Sequence, residues 1–298
     1  MLKLLNTILI GLSTGAIYSL MSISLVLVWR STRVINFAQA GQAVFSTYIA
    51  YEVSLRTGNF WLALFCAILS GALLGAFIDF FFMRMLFKHV ASGPIRAIAP
   101  VVATLGLLGI IRSAVGYIWG VEVKPLEPPV STNGIRIGSE VLPFSTYDAL
   151  ILLIVFVVLM ILTFIFQRTS LGLSLKASAF SPEISRLSGV RVDLTRTVGW
   201  AIAGACGAIA GVLATPTSLL SPNSLDILLV FGFVAAVIGG LESMLGAVVG
   251  GIVLGLGVTF IANYVGSTLV FLSAFIFLII ILLVKPAGLI SGKRSRNA

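Results

Sequence analysis

Nine apolar runs dominate this chain, at about 4–29, 37–55, 60–83, 97–119, 145–166, 194–215, 227–239, 246–262 and 268–284. A hydrocarbon core about 30 Å thick takes roughly 20 helical residues at 1.5 Å each, so runs of this kind are built to cross a bilayer. Lipid offers no partner to a free backbone amide or carbonyl, which limits spans to helices or closed barrels. No series of ten-residue segments alternates with period two, which argues against a barrel. The predicted fold is therefore an all-α polytopic transmembrane helix bundle of about 8–9 spans. The second, seventh and eighth runs are short or glycine-rich, and any of them suits a broken or re-entrant helix.

Composition agrees with that reading. The 298 residues are 59% hydrophobic and 10% charged, against about 25% charged in ordinary soluble domains. Length alone would suggest two soluble domains, but a chain made mostly of spans reads as a single membrane domain over 1–298. The first run is too long for the apolar core of a signal peptide and lacks a small-residue cleavage pattern after it. It is expected to be the first span.

The net charge of +9 does not indicate nucleic acid, because the basic residues fall in short loops rather than along one face. Under nine spans, fourteen Lys and Arg, from Arg30 to Arg296, fall on one side. Only Lys3, Arg56, Lys124 and Arg136 fall on the other. Positive charge marks the cytoplasmic side, so the C-terminus is expected in the cytoplasm and the N-terminus outside. Residues 120–144, rich in proline and glycine, read as an extracytoplasmic turn or hairpin. Residues 167–193 form the longest cytoplasmic connection: a turn at Thr169-Ser170-Leu171-Gly172, a short helix through Ala177, Ser181-Pro182-Glu183 and Leu187, and a stop at Gly189. Glycine pairs four apart at 11/15, 71/75, 116/120, 207/211, 246/250 and 251/255 exceed the roughly three expected by chance and indicate closely packed helices.

Several chemistries are missing. Cys66 and Cys206 lie inside apolar runs and suggest neither a disulfide nor a metal pair, and His89 is the only histidine. There is no P-loop pattern, no nucleophile cluster and no dense carboxylate relay. The chain is thus expected to be no enzyme and to hold no metal or cofactor; any energy supply must lie on another chain.

Four features stand out from an apolar background. Asn36, Gln39 and Gln42, with Gly41, open the second span; they either line a solute path or cap a helix near the headgroups. Asp79, Arg112 and Glu52 are charges at membrane depth. Asp79 and Arg112 lie in neighbouring spans and could pair; a structural salt bridge, or simple snorkelling of Asp79 to the interface, competes with a contact to solute. Thr215-Pro216 and Gly239-Gly240, followed by Glu242, mark either a discontinuous helix facing the path or a tight turn. The loop 167–193, with Lys176, Ala177, Ser181, Pro182, Glu183, Arg186 and Gly189, is either a docking element or an ordinary connection.

With these residues in view, the sequence resembles the LivH family of branched-chain amino acid permeases, membrane subunits of bacterial ABC importers. The resemblance runs almost end to end. It is carried by Arg33-Val34-Ile35-Asn36-Phe37-Ala38 with Gly41, following Gly11, Gly15, Ala16, Tyr18 and Leu20. It continues in Thr169 to Gly172, Ala177, Pro182-Glu183 and Leu187 to Gly189. Gly204 to Gly211, Val237 to Leu241 with Ser243, Gly246-Ala247, and Lys285-Pro286-Ala287-Gly288-Leu289 complete it. The resemblance implies a second homologous permease subunit, two ATP-binding subunits that use ATP-Mg, and an extracytoplasmic solute-binding protein. It also implies a bacterial cytoplasmic membrane and a contact between residues 176–189 and an ATPase subunit.

One departure concerns the solute. The family usually has histidine where Gln39 stands and an acidic residue where Gln42 stands. Members of the wider superfamily carry urea and amides, so both aliphatic amino acids and other small polar solutes stay open. A stand-alone secondary transporter or facilitator is the alternative, disfavoured by sparse intramembrane charge and by the projecting loop. An intramembrane enzyme lacks its catalytic cluster, and a scaffold subunit has no need of buried amides.

Overall fold

Every apolar run is helical. The computed structural model describes residues 2–89, 95–137 and 140–290. Its helices are α1 (Leu2–Thr32), α2 (Gln39–Thr57), α3 (Phe60–Phe77), α4 (Arg84–His89), α5 (Ile95–Trp119), α6 (Thr146–Arg168), α7 (Ser170–Phe180), α8 (Pro182–Leu187), α9 (Val192–Ser218), α10 (Asp226–Gly239), α11 (Met244–Tyr264) and α12 (Val270–Val284). A π-helical stretch, Ile78–Met83, joins α3 to α4. Strands β1 (Gly134–Ile137) and β2 (Glu140–Ser145) pair antiparallel, so the proline-rich loop does hold a hairpin.

Among the described residues, seven helical segments are long and apolar enough to cross a membrane. The two remaining runs are α2 and α10. Helix α2 is 19 residues long but opens with glutamines and carries Glu52 and Arg56. Helix α10 has 14 residues, a length of about 21 Å, and falls short of a bilayer core. The eighth run, suspected of being broken, is the continuous 21-residue α11.

Contacts divide the chain into two units. The first comprises Met1–Val26, Pro128–Val155 and Ile227–Ala298. Its core is Phe231, Val234, Ala235 and Ile238 of α10 against Leu254 and Val258 of α11 and Ala274 of α12. Ser145 and Asp148 form a capping box at the start of α6. The Asp148 N–H donates to Ser145 Oγ at 3.1 Å, and the Ser145 N–H donates to Asp148 Oδ2 at 2.9 Å. Ser13 of α1 donates to the other oxygen of Asp148 at 2.9 Å. The tail after α12 folds back on the end of α10. There the N–H groups of Leu289 and Ile290 meet the carbonyls of Ile238 and Gly239 at 2.8 and 3.2 Å, satisfying acceptors that a helix end leaves open.

The second unit comprises Leu27–Glu127 and Phe156–Asp226. Its most extensive helix contact is α3 on α9, and α2 packs on both. Glycine makes the crossing possible. A Cβ on Gly71 would lie 2.6 Å from the Gly204 carbonyl oxygen, and one on Gly204 would collide with the Gly71 carbonyl. Buried hydroxyls on these helices bond back to their own backbone. Ser46 donates to Gln42, Thr47 to Ala43 and Thr215 to Gly211, at 2.7–2.8 Å. The outward sides of α3 and α6 expose Trp61, Phe65, Phe156 and Phe164, as lipid-facing surfaces should.

Candidate functional site

Helix α1 ends at Thr32, and Arg33 adopts a left-handed backbone (φ 57°) that turns the chain out of the helix. Residues 34–38 are non-helical, yet Val34, Asn36 and Ala38 are fully or almost fully buried. Irregular backbone at membrane depth persists only where protein or a water-filled path surrounds it. Here Thr104 of α5 helps to hold it. The Phe37 N–H reaches Thr104 Oγ1 at 3.4 Å, while the Thr104 hydroxyl donates to the Val101 carbonyl at 2.9 Å.

The three amides of this segment are buried, which rules out the headgroup-level cap considered for them. The residue preceding α2 is Ala38, and no side chain caps the helix. Asn36 instead donates through Nδ2 to Gln39 Oε1 at 3.0 Å, and Gln39 Nε2 donates to the Ala203 carbonyl of α9 at 3.1 Å. Gly207, one turn on, leaves room for this: a Cβ there would collide with the Gln39 amide nitrogen. Gln42 lies one turn further along α2, with 0% exposure and no partner for either amide atom. Asn36 Oδ1 is likewise unpaired. An unpaired buried amide costs free energy, about 1–3 kcal/mol per group, so Gln42 and the Asn36 carbonyl oxygen are the polar groups of this segment that its own packing leaves unsatisfied. Gly41 instead packs on Leu108 and Ile111 of α5.

The remaining predicted path residues separate from this cluster. Thr215 is buried and bonded to its own helix, with Pro216 in the last turn of α9. Gly239 and Gly240 belong to the other unit, where they form a tight turn rather than a broken helix in the path. A Cβ on Gly239 would strike the Gly246 carbonyl, and Gly240 holds φ +103° beside the Ala287 carbonyl.

The pair that Asp79 and Arg112 could have made does not form. Counting from the 90–94 connection, Asp79 is about 16 Å deep along its helix and Arg112 about 26 Å, a mismatch of about 10 Å. Asp79, fully buried at the start of the π-helical stretch, instead accepts from Arg196 Nε at 2.7 Å and the Thr197 hydroxyl at 2.6 Å. Arg84 Nε lies 3.9 Å away. Arg112 binds Asp226 in the first turn of α10. Glu52 pairs with Arg56 one turn along α2. Arg196, the partner of buried Asp79, is one of the fourteen basic residues assigned to loops by the sequence, and Asp226, the partly exposed partner of Arg112, carries no sequence signal of its own. Asp193-Leu194-Thr195-Arg196-Thr197 was the available signal, a charged helix start leading straight into an apolar run.

The connection 167–193 is two helices, α7 and α8, joined at an elbow. Thr169 caps α7, accepting from the Gly172 N–H at 3.3 Å, and Ser181 caps α8, accepting from the Ile184 N–H at 3.5 Å. Pro182 sits at the first helical position, where its missing N–H costs nothing. Gly189 ends the segment with φ +82°. Lys176, Glu183 and Arg186 are exposed, Arg186 with Asp193 at 3.4 Å. The sequence reading missed the apolar side chains of this elbow: Phe180 is 92% exposed, Ile184 63% and Leu187 90%. Among the described residues, no three His, Cys, Asp or Glu side chains gather as metal ligands.

Residues 7–284 match the family described as branched-chain amino acid transport system, permease component. Curated relatives agree. A probable branched-chain amino acid transport permease protein LivH of Methanocaldococcus jannaschii is 29% identical, over 91% of this chain and 87% of that one. The high-affinity branched-chain amino acid transport system permease protein BraD of Pseudomonas aeruginosa is 25% identical, over 94% of this chain and 93% of that one. The corresponding LivH of Escherichia coli K12 is 24% identical, with the same coverage. Among solved structures, PsaBC from Streptococcus pneumoniae in complex with Fab aligns with a TM-score of 0.48 at 14% identity. It covers 96% of this chain and 91% of that one, a likeness too slight to argue from. The chain therefore belongs to the family of permease components of branched-chain amino acid transport systems, a multi-pass membrane transport subunit rather than an enzyme.

Proposed function

We propose that this chain forms half of the translocation path of a binding-protein-dependent ABC importer, and that α7–α8 couples it to an ATPase subunit. The observation that carries the proposal is the elbow. Phe180, Ile184 and Leu187 are almost bare on a short capped segment outside the spans. Exposed large apolar side chains in a cluster rimmed by Lys176, Glu183 and Arg186 have the composition of a docking site. Counted over all nine apolar runs, with α2 and α10 crossing alongside the seven longer segments, the excess of basic residues on this side supports a cytoplasmic location for it and for the C-terminus.

In this reading a second homologous permease subunit completes the path. Two ATP-binding subunits supply energy from ATP-Mg, and an extracytoplasmic solute-binding protein delivers solute to the side of the β1–β2 hairpin. The names of the relatives support branched-chain amino acids as solute, and the sequence resemblance supports the cytoplasmic membrane as location. Residues 1–298 act as one permease domain. A second solute class has a specific observation behind it: the uncharged, unpaired Gln42 amide beside Asn36 suits a neutral polar solute such as urea or a small amide.

The coupling assignment is tested by Glu183→Arg and Ile184→Asp in cells carrying the partner subunits. Both are expected to leave the protein in the membrane at normal levels while ATPase association and uptake fall at least tenfold. Full association and uptake in both variants would sink the assignment.

A further inference from the structure

Two neighbouring cavities in the unit containing α2–α5 and α9 play no part in the proposed route. One is a cleft of about 920 Å³ whose wall carries six Lys and Arg side chains against one carboxylate, Asp193. Lys88 makes no ion pair among the described residues. Arg84 and Arg196 each keep a buried guanidinium nitrogen without an acceptor. The second cavity is a groove of about 390 Å³ between α4 and α5, apolar except for His89 at one end. Its floor includes Gly106, where a Cβ would meet nothing within 4 Å. Both cavities are lined by Met85 and His89, so the groove continues from the cleft. The surrounding surface exposes Phe80, Phe81 and Ile110, the kind of side chains that face lipid.

We propose that the joined cavities bind one anionic phospholipid, its phosphate headgroup in the basic cleft and an acyl chain in the groove past Gly106. Basic pockets at the headgroup level of membrane proteins attract anionic lipid at about 1 kcal/mol per Lys or Arg. A free phosphate would fill the cleft and leave the groove unused. An acidic segment of a partner protein would likewise have no use for an apolar groove on the lipid-facing side. The proposal needs only that the chain spans a membrane, and stands or falls independently of the solute and of the ATPase contact.

The test is lipid retention by the full-length protein in mild detergent. Mass spectrometry of the intact protein is run after exchange against phosphatidylglycerol, phosphatidylcholine or inorganic phosphate alone. Phosphatidylglycerol is expected to be retained over phosphatidylcholine and not displaced by inorganic phosphate. Lys88→Glu is expected to weaken retention about fivefold or more, the factor set by about 1 kcal/mol per charge. Gly106→Leu, which fills the groove, is expected to weaken retention as much while the thermal midpoint stays at the wild-type value. Either variant serves alone should the other fail to fold. Equal retention of the two lipids would overturn the proposal. So would displacement by inorganic phosphate, or Gly106→Leu without effect.

Discussion

Gln42 is the side chain whose physics and sequence context disagree most. It is fully buried, its amide makes no hydrogen bond, and a leucine of similar size would suit the same space at lower cost. Gln42→Leu is therefore expected to raise the thermal midpoint in detergent while uptake falls at least tenfold. A variant that transports normally would remove Gln42 from the path. Asp79 behaves in the opposite way. Its charge is matched by Arg196 and hydrogen-bonded by Thr197, so removing it strands a buried guanidinium. Asp79→Ala is expected to cost about 3–5 kcal/mol, read as loss of folded protein, whereas the double variant Asp79→Leu/Arg196→Met recovers most of that. If the double variant were no better than the single one, the pair would not be the cause.

Among the elements, glycine pairs divide by what they touch. Gly71 and Gly204 bring the backbones of α3 and α9 together, and Gly15 and Gly255 do the same for α1 and α11. Gly116 meets only Val121, at 3.7 Å. Gly204→Leu is expected to abolish folded protein, while Gly116→Ala is neutral or stabilising by up to about 1 kcal/mol. Detergent-solubilised yield and thermal midpoint measure both, and equal effects would contradict the packing account. The same contrast shows what sequence made legible. Spacing announced close helix contacts but did not say which faces meet, because period and composition carry no information on crossing partners. Helix existence followed from apolar run length. The partners of Asp79 and Arg112 did not, since helix depth along antiparallel spans has to be counted from a boundary that sequence places only loosely. For Asn36, Gln39 and Gln42 the sequence left a solute-path lining and a headgroup-level cap equally open, because spacing does not say how deep an amide sits; the folding of 34–38 into the interior places these amides away from the surface.

At the scale of the molecule, a buried polar segment on α2 and an exposed apolar elbow at α7–α8 belong to the same unit, which also carries the π-helical stretch and the basic cleft. The elbow is where force from a partner would enter, and α9, which follows it directly, carries the Ala203 carbonyl that receives Gln39. The sequence holds no P-loop pattern, so in the proposed function the energy comes from an ATPase partner and activity depends on assembly. The most direct measurement is copurification of the tagged chain from its own membranes in mild detergent, with ATPase activity assayed in reconstituted vesicles. The account predicts a complex with a sister permease and ATPase subunits whose hydrolysis rises on adding a loaded solute-binding protein, and which Ile184→Asp dissociates. A lone, ATPase-free homo-oligomer that transports solute unaided would contradict it.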